Sequence, residues 1–385
     1  MAAAATAPVV IIGGGFGGLY TALALADQNQ HPPILLIEPQ DRFLFLPLLY
    51  ELLSHELRSW EIAPRFDALL AGRGVAWLQD SVVEIDHDVH EVSTATGRRL
   101  AFSQAVIATG STTQTYGIAG AAEHCLGFRS LADVRRLQQL ITQLRQRSRP
   151  LQRLAVVGAG ASGVELACKL ADELGGCAVV ELLEQGAEVL PQARAFNREQ
   201  ALLALQRKDV RVRTQTAVTA VAADHLLLGP NGERLSVDAV IWTAGIRCQA
   251  PALRPTLQRD RRGRLHCSPQ LQVVGASDLF ALGDVAALEE ADTTALPSNA
   301  QVALQQAGVV ADNLMRARRG EPLKAFAYND LGEMMSLGRQ EASITAAGVT
   351  LAGRAAYELR RLAYLTRLPG RSHRLKVAAG WLAEG

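Results

Sequence analysis

Cysteine is scarce and poorly spaced. The 385-residue chain has five, Cys125, Cys168, Cys177, Cys248 and Cys267, none in CxxC or CxxxxC spacing. An odd count without close pairs argues against a disulfide framework or a redox dithiol and fits a reducing compartment. No apolar run reaches the roughly 18 residues of a spanning helix. An excess of charge is also missing, with 39 Lys and Arg against 38 Asp and Glu, so no nucleic-acid partner is expected. The eight histidines are scattered without ligand spacings, and no metal site is expected. The opening Met1–Pro8 lacks the basic region and apolar core of a secretory signal and the arginines of a transit peptide.

What is present is a repeated plan. A chain of this length suits two or three domains. The apolar stretch PVVII at 8–12 runs into Gly13-Gly14-Gly15-Phe16-Gly17-Gly18, then a helical stretch and the strand Ile34–Ile37, ending at Glu38. The stretch LQRLAVV at 151–157 runs into Gly158-Ala-Gly160-Ala-Ser-Gly163, then a helical stretch and the strand 178–183, ending at Glu184. Each half continues with a β meander (74–92 and 209–228). An apolar strand follows, 105–107 before Thr109-Gly110 and 240–242 before Thr243-Ala-Gly245. The fold class expected is α/β, two Rossmann-type dinucleotide-binding domains.

The spacing has physical reasons. Gly13 and Gly158 permit the tight strand-to-helix turn, Gly15 and Gly160 let the backbone approach a pyrophosphate, and Gly18 and Gly163 let helix and strand pack closely. The helix N-terminus offers free N–H groups to phosphates. Glu38 and Glu184 stand where a carboxylate would accept hydrogen bonds from a ribose diol. A carboxylate at 184 repels a 2′-phosphate, so NADH is expected over NADPH at the second site.

Residues 279–286 form a third element, an apolar strand ending in Gly283-Asp284. The Val-Ala-Ala-Leu that follows also allows Asp284 to be a helix N-cap. The three motifs together resemble two-dinucleotide, glutathione-reductase-like flavoproteins, in which the Asp meets the ribityl chain of the flavin. That resemblance implies an FAD-binding domain of residues 1–117 and 266–325 and an NAD(P)H-binding domain of residues 118–265. A C-terminal segment, 326–385, is left over. The cofactor contacts it implies also include Phe16, Gly17, Arg42, Val83, Thr109, Gly110, Gly245, Gly283, Ala300 and Gln301.

The fold serves several chemistries, so the choice rests on other residues. Disulfide reductases require a close cysteine pair, and sulfide:quinone reductases a cysteine in the C-terminal third. No close pair occurs and no cysteine follows Cys267, and the thiols present read as inert. The segment DRFLFLPLLYELL at 41–53 and Ala300-Gln301-Val-Ala-Leu-Gln305 resemble type II NAD(P)H:quinone oxidoreductases. So do ELLSHELRSWEIAP at 51–64, LGEMMSLGR at 331–339 and the arginine-rich end at 360–377. The likeness is to their cyanobacterial and plant-plastid branch. Pro297-Ser-Asn replaces that family's usual Pro-Thr-Thr/Ala before Ala-Gln. By resemblance, the AQxAxQ motif lies at the flavin ring and lines the quinone pocket. Gln301 and Gln305, four apart on one helical face, would orient the quinone oxygens. Glu165 would lie at the junction of nicotinamide, flavin and quinone, and its alternative role is a helix-N-terminal carboxylate.

The resemblance implies two-electron reduction of a membrane naphthoquinone, demethylphylloquinone in phylloquinone synthesis. Rival readings are a general respiratory NADH:plastoquinone or menaquinone dehydrogenase and a low-turnover redox-sensing flavoprotein. Residues 351–385 carry seven basic residues, Arg354, Arg360, Arg361, Arg367, Arg371, Arg374 and Lys376, against Glu358 and Glu384. Leu351, Ala355, Leu359, Leu362, Ala363 and Leu365 fall near helical spacing. Such a basic amphipathic stretch suits docking on an anionic membrane surface. Its alternative is a helix packed on the flavin domain. The expected location is the cytoplasmic or stromal face of a cyanobacterial thylakoid or plasma membrane, or a plastid, and a homodimer is left open.

Overall fold

A computed structural model describes residues 7–147, 152–288 and 296–384. The readings made of the first six residues and of Leu151 fall outside them. The chain groups into two units, each assembled from three pieces.

The first unit comprises Met1–Phe45, Ala63–Thr112 and Arg247–Asn329. Its centre is a parallel five-stranded sheet in the order Leu279–Ala281, Gln104–Ile107, Val9–Ile12, Ile34–Ile37, Val75–Leu78. Val9–Ile12 is buried along its whole length, as expected of a parallel strand covered on both faces. The helices Phe16–Ala26 and Ala300–Arg318 pack together. A meander of Val82–Asp86, Glu91–Thr94 and Arg99–Ala101 lies over an apolar core that includes Ile12, Ile37, Ile85, Phe102 and Ile107.

The second unit comprises Leu46–Ile62, Thr113–Ile246 and Asp330–Gly385. It repeats the parallel sheet, in the order Arg211–Arg213, Val179–Leu183, Arg153–Val157, Ala239–Trp242, Cys125–Leu126. The meander here is Val218–Val221, His225–Leu228 and Glu233–Ser236. An antiparallel sheet of Glu333–Gly338, Glu341–Ala346 and Val349–Gly353 precedes the helices Arg354–Arg367 and Arg371–Glu384.

Four features differ from the sequence reading. Val75–Leu78 and Arg211–Arg213, assigned to the meanders, are edge strands of the two parallel sheets. An edge strand has one open side, so the exposed arginines of Arg211–Arg213 mimic a meander, whereas Val75–Leu78 is apolar throughout and is told from a meander strand only by its pairing. Asp284 caps no helix, because Gly283–Val285 is one 3-10 turn before the strand Ala286–Leu288. Leu46–Ile62, expected in the first domain, groups with the second unit, and residues 330–385 fold into it rather than standing apart. Leu351 lies on a strand, so it leaves the helical stripe.

Candidate functional site: two dinucleotide cradles and a buried acid

In the first unit the glycine turn is held by sterics. Gly13 has φ +98°, and a Cβ there would meet Ala108 and Thr109. A Cβ at Gly18 would overlap the carbonyl oxygen of Gly13, so the helix can approach the strand only with glycine at this position. Around the Cβ position of Gly15 there is open space. The helix Phe16–Ala26 starts there with no side-chain cap, leaving its first-turn N–H groups for a ligand.

Glu38 braces this turn. Its carboxylate accepts the N–H of Gly14 at 2.6 Å and that of Gln40 at 2.9 Å. Burial raises its pKa, against the pull of these two bonds. Phe16 packs edge-on against Phe43 and Phe45 of the FLF segment, with centroids 5.2 and 5.1 Å away. Arg42 is bonded to the Ala63 carbonyl at 3.3 Å, and Val83 is exposed on the meander. Thr109, beside Gly110 at φ +67°, has a buried hydroxyl with no partner among the described residues. Asp284 accepts from the Ser111 hydroxyl at 2.5 Å, and the Gly283 N–H donates to Gln306 Oε1 at 2.7 Å.

Ser111 and the buried Gln306 were not found by sequence reasoning. The doubled Gln305-Gln306 was the only sign of the second. Asn299 caps the helix Ala300–Arg318 by accepting from Val302 N–H at 2.9 Å, which sets Ala300 and Gln301 in its first turn. Gln305 exchanges two bonds with the Asn329 backbone, 2.8 and 3.0 Å. Open space at Gly15, the uncapped helix and the orphaned Thr109 hydroxyl all fit FAD.

The second unit repeats the cradle. Gly158 has φ +101°, a Cβ at Gly163 would overlap the Gly158 carbonyl, and the space at Gly160 is open. The helix Ala161–Leu174 also begins without a side-chain cap. Glu184 accepts the N–H groups of Ala159 and Gly186, both at 2.7 Å. Gly245, at φ +74°, ends the return loop under the Tyr116 ring. This set of residues fits a nicotinamide dinucleotide.

Glu165 lies on the first turn and a half of the helix Ala161–Leu174 and is buried. It accepts the Ser336 N–H at 2.7 Å and is bonded to the Tyr50 hydroxyl. Burial pushes its pKa up to about 7, although Arg360 pulls it down. A carboxyl in this range exchanges protons near neutrality. Sequence reasoning missed Tyr50, Glu51 and Arg360 here. A buried arginine inside an arginine-rich tail has no local signature. All five cysteines are free thiols, and burial pushes those of Cys125 and Cys168 up to about 12, which makes them poor nucleophiles.

A family model described as pyridine nucleotide-disulphide oxidoreductase matches residues 7–307. The chain is 41% identical to demethylphylloquinone reductase NdbB of Synechocystis, over 98% of this chain and 96% of that one. It is 33% identical to the alternative NAD(P)H-ubiquinone oxidoreductase C1, chloroplastic/mitochondrial, of Arabidopsis thaliana, over 98% and 80% of the two chains. The structure of NDH2 from Plasmodium falciparum in complex with NADH shares the fold, with a TM-score of 0.87 over 98% of both chains at 16% identity. With both cradles intact and this likeness running from end to end, the chain belongs to the pyridine nucleotide-disulphide oxidoreductases and, within them, to the type II NAD(P)H:quinone oxidoreductases.

Proposed function

We propose that the protein is an FAD-dependent NAD(P)H:quinone oxidoreductase that reduces demethylphylloquinone by two electrons at a membrane surface. The observation that carries this reading is the likeness to a demethylphylloquinone reductase along nearly the whole of both chains. FAD, when bound, supplies the hydride acceptor and the two-electron donor that this chemistry requires. The chain's own residues do the rest. The first cradle, with Glu38 and Asp284, holds FAD, and the second, with Glu184, holds NADH. Gln301 orients the quinone, with Gln305 fixing the backbone behind it, and Glu165 holds a proton for the quinone.

The C-terminal helices support membrane docking. Arg354–Arg367 buries Ala356, Tyr357, Arg360 and Tyr364, leaving Leu359 and Leu362 outward at 49% and 56% exposure. On Arg371–Glu384, Leu375 and Leu382 are exposed by 72% and 85%. Paired outward leucines flanked by arginines suit a peripheral helix lying in an anionic interface. No helix among the described residues is long and apolar enough to cross a membrane.

The test is purification with bound flavin. NADH and NADPH oxidation are then measured with demethylated and methylated naphthoquinones and with a benzoquinone. Preference for the demethylated naphthoquinone supports the reading. Equal rates with all three would make it a general respiratory dehydrogenase, and slow flavin reoxidation by every quinone would make it a sensor. Liposome sedimentation of a variant with Leu359, Leu362, Leu375 and Leu382 changed to Ser tests docking, and wild-type sedimentation would refute it. Light scattering on the same preparation reads out whether it is a homodimer.

A further inference from the structure

Three helices of the second unit meet at a charged cluster that solvent scarcely reaches. Glu51, on Leu49–Leu53, is 0% exposed, and Arg360, on Arg354–Arg367, is 1% exposed. The Arg360 guanidinium donates to Glu51 Oε1 and, at 2.6 Å, to the Pro47 carbonyl. It lies 3.8 Å from Glu165 Oε1 and rests over the Tyr364 ring at 4.8 Å. The Tyr50 hydroxyl is bonded to Ser162 and Glu165.

The groups facing Glu165 can be named element by element. Arg360 and Tyr364 come from the C-terminal helix, Glu51 and Tyr50 from Leu49–Leu53, and Ser162 and Cys168 from its own helix. The strand Glu333–Gly338 presents the Ser336 N–H. Lys169 and Asp172, further along the helix, are paired with Glu56 and Lys208.

The charge count is uneven. One guanidinium, which does not give up its proton, faces two carboxylates. Glu51 has the direct hydrogen bond to it, and Glu165 has only the longer approach. Two ionised carboxylates would leave a net negative charge in a buried place, which is costly. Glu165 is therefore the member that keeps a proton, in accord with its rise to about 7.

We propose that Arg360 and Glu51 are positioning residues for quinone reduction, setting by opposite electrostatic effects whether Glu165 holds the proton delivered to the quinone, with the Tyr50 hydroxyl as relay. The inference rests on reading the protein as a quinone reductase. Quinone becomes quinol by taking up two electrons and two protons. The hydride of NADH brings two electrons and one proton, and the second proton comes from water. In the proposed step the Glu165 O–H bond breaks and a quinol O–H bond forms. Water then reprotonates the carboxylate.

The experiment follows reoxidation of the NADH-reduced holoenzyme by a soluble naphthoquinone, by stopped flow, from about pH 5.5 to about pH 9. The wild-type rate should fall as pH rises through the Glu165 midpoint. Arg360→Met removes a positive neighbour and should move that midpoint up by about one pH unit, whereas Glu51→Gln removes a negative one and should move it down by about as much. Arg360→Lys should restore the wild-type profile. The double variant Arg360→Met/Glu51→Gln should show a midpoint between those of the two single variants, and where Arg360→Met does not fold, the downward shift in Glu51→Gln carries the test. Midpoints that stay put, or move in the same direction in both single variants, overturn the proposal while leaving the quinone reductase reading intact. A wild-type enzyme whose flavin no quinone reoxidises overturns that reading itself.

Discussion

The carboxylate of Glu184 is bound at 2.7 Å to the N–H of Ala159, the residue between the first two glycines of the second cradle. Glu38 holds Gly14 in the same way at 2.6 Å. Each acid therefore braces its glycine turn. A carboxylate has about four acceptor sites, so two backbone bonds leave room for a ribose diol. Glu184→Gln gives up one acceptor oxygen and turns an NH2 toward a backbone N–H. We expect a higher KM for NADH, an unchanged quinone KM and a stability loss of about 1–3 kcal/mol. Steady-state kinetics and denaturant unfolding check this, and an unchanged NADH KM would count against the assignment.

The glycines of the second fingerprint divide into two kinds. The Cβ position of Gly163 is blocked by the Gly158 carbonyl, whereas that of Gly160 is open. Gly163→Ala should lower Tm, because the helix must shift away from the strand. Gly160→Ala should leave Tm unchanged and raise the KM for NADH, since its methyl enters the open space in which we propose the pyrophosphate lies. Thermal melts beside NADH titrations separate the two, and equal melting losses would refute the distinction.

Gln301 and Gln305 should also part company. The Gln305 amide is bonded to the Asn329 backbone through both its atoms. Gln305→Ala should cost roughly 1–3 kcal/mol of stability. Gln301→Ala should raise the quinone KM more than the NADH KM. Identical kinetic profiles of the two variants would remove the distinction.

Glu165 makes stability depend on pH in a direction unusual for a carboxylate. Its folded-state pKa, about 7, lies above the ordinary 4.5 of a glutamate, so between these values the folded state binds more protons than the unfolded chain. Its contribution is present below the unfolded value and is lost as pH rises through the folded one. Glu165→Gln removes that loss. Measured against wild type, the variant should therefore be more stable at high pH than at low pH, by about 1.4 kcal/mol for every pH unit between the folded and unfolded midpoints. Urea melts at about pH 5 and about pH 8 read this directly, with a pH-independent difference as the contrary result.

The two glycine cradles were legible because their requirements are local. A strand, a turn that only glycine permits, a helix and an acid lie within some thirty residues of each other. The strand that ends in Gly283-Asp284 was legible for the same reason. The Asp284 partner Ser111 was not, since a single serine 173 positions away carries no periodic signal. Arg211–Arg213 was misplaced because its arginines reflect an open sheet edge rather than a change of fold, and Val75–Leu78, apolar throughout, because four residues do not show which strand they pair with. Arg360 was counted among the seven basic residues of the C-terminal docking stretch. Its burial depends on Glu51, 309 positions away in the chain.

The grouping of Leu46–Ile62 with the second unit bears on modularity. Residues 118–265 look like a portable nucleotide-binding cassette. Excised as such, they would carry the buried Lys169 without Glu56, and Glu165 without Tyr50 or Arg360. The counter-ions of that unit are encoded in the first and last sixths of the chain. Swapping the second unit between relatives therefore means transplanting three segments at once, so recombination between homologues at the apparent domain boundaries should yield insoluble chimaeras.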